Sequence, residues 1–245
     1  SLDDKLAGSV PFTTMCAVAV AGWQLGCQAR ASGLHAKAAV TRFFNRVIVP
    51  EARGLGSSAM AGAALLHQPN TLEGLACSKT LTPKKRDMLA AAIDQHAKAC
   101  SVAQSTVEEI DRLNILQASL LAMWRAVDLV VKKAGLKPEE CLIAVDGNKL
   151  PKWPYRAIAV VKGDTKIPAI SAGSILAKVA RDEWCKTHAL QYPQYELDVH
   201  MGYPTARHMA LLVEHGATQV HRKSFRPVRE ALERAQQDLA LLRQA

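Results

Sequence analysis

The sequence predicts an α/β fold with a helical C-terminal region. Two unbroken apolar runs of strand length, 142–145 and 157–161, have the pattern of strands that are covered on both faces. Helical spacing of apolar residues precedes and follows these runs, and short strand-like runs come earlier in the chain. Strands first, then alternation, then helices: this order is typical of α/β proteins.

The N-terminal part has the weakest pattern. Residues 1–42 show no sustained period and are predicted to be an extension of unknown role. Val47-Ile48-Val49 and the run 60–66 predict two adjacent strands that are joined through a Gly-rich turn. The expected organisation is therefore an extension over 1–42, a main domain over 43–230 and a C-terminal helix over 231–245.

Capping residues mark the predicted helices. Thr82 and Pro83 predict a helix that runs to about residue 98, and Thr106 with Glu109 forms a capping box before the helical spacing that ends at Gly135. Further helices are predicted over 169–189, over 205–215 with Gly216 as the C-cap, and from residue 227. The last of these carries one apolar stripe, made of Val228, Leu232, Ala235, Leu239 and Leu242.

Composition limits the class of protein. The chain has 245 residues and a net charge of +9, which favours a polyanionic partner without proving one. Its 6 cysteines are scattered, so they predict neither a zinc site nor a disulfide framework, and they fit reduced thiols in the cytoplasm. The candidate membrane segment, 15–23, is too short to span a bilayer, so no membrane association is expected.

An acid follows each of the two apolar strands. Val145 leads into Asp146, and Val161 leads through Lys162 and Gly163 into Asp164. Parallel strands would bring both acids to one sheet edge, where ligands bind in open α/β sheets. The connection between the strands is short for a parallel crossover, so this arrangement stays open, and turn residues after two strands are the simpler interpretation of either acid alone.

Converging carboxylates would need a shared cation. Without one, they could not all stay ionised near one another, and oxygen ligands select Mg²⁺ or Mn²⁺. Such a site suits phosphoryl chemistry, in which two metal ions activate a water and stabilise the leaving oxygen.

Several blocks of residues, taken in order and spacing, resemble the ribonuclease HII family. The resemblance runs from about residue 73 to 230, and several blocks that agree are more specific than any single motif. The blocks are 113–118, 146–151, 161–164, 174–179, 202–203, 221–222, 224–225 and 227–228.

The resemblance implies a ribonuclease H-like fold, with a mixed central sheet flanked by helices and a C-terminal helical region. It implies an endonuclease that hydrolyses the RNA strand of RNA–DNA hybrids and cuts 5′ of single ribonucleotides embedded in duplex DNA, using Mn²⁺ or Mg²⁺. The expected partners are thus hybrid duplexes and DNA that contains ribonucleotides, and a monomer is the simpler expectation.

The resemblance also implies roles for particular residues. Glu51, Asp146 and Asp164 match catalytic, metal-binding carboxylates. Tyr203 matches a tyrosine that packs against the DNA sugar after the ribonucleotide. The other implied substrate-binding residues are Arg53 and Gly54 in the loop that grips the ribose 2′-hydroxyl, Ser78 and Lys79 near backbone phosphate, and Arg222.

The N-terminal motif departs from the family pattern. Pro50 stands where the family has its first aspartate, and the chain has no aspartate between Asp4 and Asp87. The loop before Arg53 is one glycine short, and residues 77, 80 and 201 also differ from the family. Because proline cannot ligate a metal, we expect little or no activity unless Glu51 and a water substitute. The alternative is a hybrid-binding protein that has lost catalysis.

Overall fold

The structure is a computed structural model and describes residues 15–20, 58–67 and 72–243. The chain divides into two compact units. The first comprises Ser1–Ala29, Met60–Gln104 and Ser119–Ala180 and contains the sheet. The second comprises Arg30–Ala59, Ser105–Ala118 and Arg181–Ala245, and its described part is mainly helical.

A mixed sheet is the centre of the first unit. Its strands in the described residues lie in the order β3-β2-β1-β4-β5, with β1 antiparallel to β2, β1 parallel to β4, and β4 parallel to β5. Their bounds are β1 Met15–Val20, β2 Ala59–Leu66, β3 Ala97–Ser105, β4 Leu142–Asp146 and β5 Arg156–Val160. The mixed sheet with flanking helices confirms the predicted fold class.

Strand β1 lies within residues 1–42, the stretch that was predicted to be an extension of unknown role. This strand is the middle one of the five described strands, and its Val18 pairs with Ala63 of β2 and with Val145 of β4. Its unbroken apolar run is of strand length, but it was interpreted only as part of the candidate membrane segment 15–23. The strand predicted at 47–49 lies outside the described residues.

Strands β4 and β5 settle the question of direction that the sequence left open. They are parallel, and Ile143 pairs with Ala157. The connection at 147–155 is anchored by Tyr155, whose hydroxyl donates a 2.6 Å hydrogen bond to Oδ1 of Asp128. The prediction that both strands are covered on both faces is confirmed for β4 but is wrong for β5, because Ala159 within the predicted run is exposed.

Helices pack on the sheet within the first unit. The helices α1 Pro83–His96 and α4 Pro168–Gln191 match the predicted spans, and Thr82 caps α1 by accepting from the backbone N–H of Lys85. The stretch predicted as one helix from the capping box to Gly135 is broken at Asn114, which has a φ of 68°, so α3 Ile115–Lys133 is a separate helix. Helix α4 approaches β2 so closely that a Cβ on Gly62 would lie 2.2 Å from the carbonyl oxygen of Gly173. The buried core beneath these helices contains Ala64, Leu81, Leu89, Ile93, Ala172 and Ile175.

The second unit contains the helices α2 Val107–Leu113, α5 Leu197–His200, α6 Ala206–His215 and α7 Arg226–Leu242. The predicted capping box is present, since Thr106 and Glu109 each bond the backbone of the other. The predicted stripe on α7 is buried at Val228, whereas Leu242 is 75% exposed. Helix α7 crosses the predicted boundary at 230 without a break, and that boundary stays a prediction.

Candidate active site

Asp146 is the last residue of β4, and its side chain turns back toward the loop after β5. The backbone N–H of Gly163 donates a 2.8 Å hydrogen bond to Oδ1 of Asp146, and the N–H of Gly147 continues the ladder by donating to the carbonyl of Val160 at 3.0 Å. The Asp146 residue is 9% exposed. The end of one strand therefore fixes the carboxylate against the end of the next.

Asp164 lies in the 3-10 turn Gly163–Thr165 that follows β5. The chain enters this turn through Lys162 in a left-handed conformation, with φ of 55°. The hydroxyl of Ser171 donates to the carbonyl oxygen of Asp164, which joins the turn to the start of α4. At 2% exposure, Asp164 is more deeply buried than Asp146.

The two carboxylates influence each other electrostatically. Burial, and then the charge of Asp164, raise the pKa of Asp146 to about 6, while the backbone N–H groups of Gly163, Gly147 and Asp164 oppose this rise. Two buried carboxylates that repel each other make a costly arrangement, which a bound cation would relieve. Their oxygen donors fit a hard divalent ion such as Mg²⁺ or Mn²⁺.

A complete metal site is not present in the part of the chain that the structure describes, where no group of three or more candidate ligands occurs. Asp146 and Asp164 supply two donors, and the third predicted ligand, Glu51, lies outside the described residues together with Arg53 and Gly54.

A cavity of about 330 Å³ opens beside Asp164. Its walls come from the start of α4, including Ser171, and from the segment 75–80, including Cys77 and Thr80. The same segment contains Ser78 and Lys79, for which the family resemblance implies phosphate contact. The cavity therefore borders both a buried carboxylate and that segment.

Buried hydrogen bonds fix the segment around Ser78. The hydroxyl of Ser78 lies 2.9 Å from that of Ser174, and the buried Arg86 donates from Nη1 to the carbonyls of Ser78 and Leu81 at 3.1 and 2.7 Å. Ser78 is only 5% exposed, whereas Lys79 is at the surface. This geometry favours Lys79 over the Ser78 hydroxyl for contact with a phosphate.

Tyr203 and Arg222 belong to the second unit. Tyr203 is half-buried, and the Arg181 guanidinium lies over its ring at 4.6 Å from the centroid. Arg222 is 6% exposed, and burial together with the charge of Arg181 lowers its pKa to about 10, against an opposing effect of Asp111. Such burial suits internal support better than direct substrate contact, and the predicted contact stays a prediction.

Neither Ser171 nor Arg181 was predicted to have a role, and Ser174 entered only as part of the family block 174–179. Ser174, Lys178 and Arg181 recur at helical spacing, which predicts one face of α4. That spacing is the only sequence signal for Arg181, and it does not reveal the tyrosine beneath it.

Solved structures show the class of fold. The ribonuclease H2 from Pyrococcus horikoshii OT3 aligns with a TM-score of 0.64 and 21% identity over 90% of this chain and 97% of that one. Bst-RNase HIII in complex with Mn²⁺ aligns with a TM-score of 0.57 and 14% identity over 94% of this chain and 73% of that one. The fold is therefore of the ribonuclease H type.

Sequence relatives narrow the class to one family. The family profile described as Ribonuclease HII matches residues 53–228. The Ribonuclease HII of Polaromonas sp. is 53% identical over 173 residues, or 71% of this chain and 84% of the relative, and that of Albidiferax ferrireducens is 49% identical over 181 residues, or 74% and 84%. The chain belongs to the ribonuclease HII family, which confirms the resemblance. Pro50 and Glu51 lie before the start of the profile match.

Among the described residues, no helix is both long enough and apolar enough to cross a bilayer.

Proposed function

We propose that this chain is an endonuclease that hydrolyses the RNA strand of RNA–DNA hybrids and cuts 5′ of single ribonucleotides in duplex DNA. The observation that carries the proposal is the pair of buried carboxylates at adjacent strand ends, Asp146 and Asp164, beside a cavity in a member of the ribonuclease HII family. Membership of a family of ribonucleases H supports the hydrolysis of a phosphodiester bond.

The carboxylates would hold divalent metal, Mg²⁺ or Mn²⁺, together with Glu51. When bound, the metal ions supply Lewis acidity and a nucleophilic water, which suits hydrolysis that leaves 3′-hydroxyl and 5′-phosphate ends. The residues of this chain contribute by holding the metal-binding groups in fixed positions. The Asp146 carboxylate is fixed by the Gly163 N–H, and the backbone of the turn that contains Asp164 is fixed by Ser171, so both elements are in place before a substrate arrives.

Substrate contacts are proposed for several residues. Lys79 is exposed near the cavity and would hold backbone phosphate, which positions a duplex without reading its sequence. Tyr203 would pack against the DNA sugar that follows the ribonucleotide, while Arg53 and Gly54 would contact the 2′-hydroxyl. Ser78 and Arg222 would support these contacts from within. The net charge of +9 suits this partner, and a cytoplasmic monomer is the simplest state.

The test is cleavage of two duplexes, a uniform RNA–DNA hybrid and a DNA duplex that carries one ribonucleotide. With Mg²⁺ or Mn²⁺, we expect cleavage 5′ of the ribonucleotide and products with 3′-hydroxyl and 5′-phosphate ends, and EDTA should stop the reaction. Cleavage that persists in EDTA, or products with 2′,3′-cyclic phosphate ends, would contradict the proposal.

A specific observation favours a second candidate, a hybrid-binding protein without catalysis. Strand β1, the parallel neighbour of β4, is Met15–Val20 and contains no acid, and Pro50 replaces the aspartate of the family motif. Such a protein should bind hybrid with the salt sensitivity of phosphate contacts, yet show no cleavage even in excess Mn²⁺. Binding without cleavage would support this candidate over the first.

A further inference from the structure

One side of the Tyr203 ring is covered by a buried arginine. Arg181, in the part of α4 that belongs to the second unit, is 5% exposed, and its Cζ lies 4.6 Å from the centroid of the Tyr203 ring. Its Nη1 donates to the Tyr203 hydroxyl at 3.3 Å, and its Nη2 donates to the carbonyl of Met201 at 3.2 Å. One planar guanidinium thus contacts the ring, the hydroxyl and the turn that carries this tyrosine.

The backbone of Tyr203 is held from the other direction by two buried histidines. Nδ1 of His208 lies 3.0 Å from the carbonyl oxygen of Tyr203, and Nε2 of His208 lies 3.4 Å from Nε2 of His221. The backbone N–H of Thr218 donates to Nδ1 of His221 at 3.1 Å. Both histidines are 0% exposed.

These contacts fix the tautomers. A carbonyl oxygen only accepts, so Nδ1 of His208 carries the proton that it donates to Tyr203. Nδ1 of His221 accepts from Thr218, so the proton of His221 is on Nε2 and is donated to Nε2 of His208. Every ring nitrogen in the chain of hydrogen bonds is then satisfied with both histidines neutral, which agrees with the lowering of both pKa values by burial.

The turn before Tyr203 needs this support. Met201 and Gly202 both have positive φ, of 50° and 72°, and the left-handed conformation of a non-glycine residue is costly. The carbonyl of Met201 is one of the two oxygens that Arg181 bonds, so the strained turn and the ring are restrained by the same side chain.

We infer that Arg181 and the His208–His221 pair are positioning residues that hold Tyr203 in the orientation required for contact with the sugar at the ribonucleotide–deoxyribonucleotide junction. They therefore set the preference of this chain for junctions over uniform hybrid. This inference rests on the proposed role of Tyr203. The partly exposed ring is presented to the substrate, while its covered side and its backbone are fixed by groups that do not themselves reach the substrate.

A double-mutant cycle tests whether Arg181 acts through Tyr203. The measured quantity is the ratio of the Kd for a uniform RNA–DNA hybrid to the Kd for a DNA duplex with a single ribonucleotide, obtained by fluorescence anisotropy in EDTA. Tyr203→Ala should reduce this preference, and Arg181→Lys, which keeps the charge but loses the planar contact, should reduce it by roughly five-fold. In the Tyr203→Ala background, Arg181→Lys should have no further effect. Arg207→Lys, on the exposed ion pair with Glu196, is the matched control and should leave the ratio unchanged.

The histidines have their own pair of variants. Asparagine at 208 places an amide N–H near the position of Nδ1, so His208→Asn should retain most of the preference, whereas His208→Leu should lose it. A merely structural role would lower thermal stability in both variants without separating their preference ratios.

The outcomes distinguish failure of the positioning inference from failure of the proposed role of Tyr203. If Tyr203→Ala changes the preference but Arg181→Lys and His208→Leu do not, or if Arg181→Lys acts equally in both backgrounds, the inference is overturned while the role of Tyr203 stands. If Tyr203→Ala leaves the preference unchanged, the proposed role of Tyr203 fails, and the inference fails with it.

Discussion

The backbone N–H of Gly163 donates a 2.8 Å hydrogen bond to Oδ1 of Asp146, across seventeen positions of the chain. This bond ties the carboxylate at the end of β4 to the turn that carries Asp164. It also favours the ionised form of a carboxyl whose burial opposes ionisation. The site thus contains its own restraint on the carboxylate, provided by a backbone group that substitution of side chains does not remove.

Restoring an aspartate at position 50 should increase hydrolysis. A bridging carboxylate strengthens metal binding, and metal Lewis acidity contributes several kcal/mol, so Pro50→Asp is expected to accelerate single-ribonucleotide cleavage by on the order of 10²-fold or more. Pro50→Asn, which has similar size without the charge, is the matched control. Equal rates for the two variants would show that the missing carboxylate does not limit the reaction.

Acidification should destabilise the second unit. The pKa values of His208 and His221 are lowered by burial to about 4, below the value of about 6.5 for an unfolded chain. Between pH 6.5 and 4 the unfolded state therefore binds more protons, so the stabilisation is complete above pH 6.5 and is lost as the pH falls toward 4. The expected loss is on the order of a few kcal/mol.

Urea unfolding at pH 7.5 and pH 5 measures this loss. Asp146, with its pKa raised to about 6, acts in the opposite direction, so the comparison must be made between variants. His221→Gln keeps an N–H that can donate to His208 but removes one titrating group, and its loss of stability on acidification should be smaller than that of the unmodified chain. An identical loss in both would refute the assignment to these histidines.

Arg86 should stabilise the segment that contains Lys79. Arg86→Met removes the hydrogen bonds to the carbonyls of Ser78 and Leu81, and each buried carbonyl left unsatisfied costs about 1–3 kcal/mol. We expect a lower free energy of unfolding and weaker, less salt-dependent binding of hybrid. Lys85→Met on the exposed side of α1 is the control, and an Arg86→Met variant as stable as this control would contradict the prediction.

The close contact between β2 and α4 should not tolerate a methyl group. A Cβ at Gly62 would lie 2.2 Å from a backbone oxygen, so Gly62→Ala is expected to lower the free energy of unfolding by about 1–3 kcal/mol. Gly135→Ala has open space but a φ of 66°, so it reports the cost of backbone strain alone. Thermal denaturation of both variants should show the larger loss for Gly62→Ala, and the reverse order would contradict the close packing.

Local signals were sufficient for much of the fold. The cap at Thr82, the capping box at Thr106 and the apolar run of β4 each depend on neighbouring residues, and the structure confirms all three. Strand β3 was missed because it follows α1 without a breaker and contains polar residues, so its extended conformation is imposed by pairing in the sheet. Strand β1 was missed because its apolar run was considered only as a candidate membrane segment.

Within the candidate site, the sequence predicted only the acidic residues that come after a predicted strand. Asp146 and Asp164 were found because each comes after an apolar run, although their approach depended on the parallel pairing of β4 and β5 that the short connection left open. The contact between Arg181 and Tyr203 depends on a turn in which Met201 and Gly202 both have positive φ. Methionine rarely adopts positive φ, and the helical spacing of Arg181 does not extend to this turn, so the sequence does not predict it.

The most direct test of the central claim is cleavage of a DNA duplex with one ribonucleotide, in Mn²⁺, by the chain and by its Pro50→Asp variant, each with and without Asp146→Asn. We predict that Asp146→Asn abolishes cleavage in every background that cleaves, while Asp238→Asn on exposed α7 changes nothing. Cleavage that continues at the same rate with Asp146→Asn would contradict the assignment of this carboxylate pair as the catalytic site.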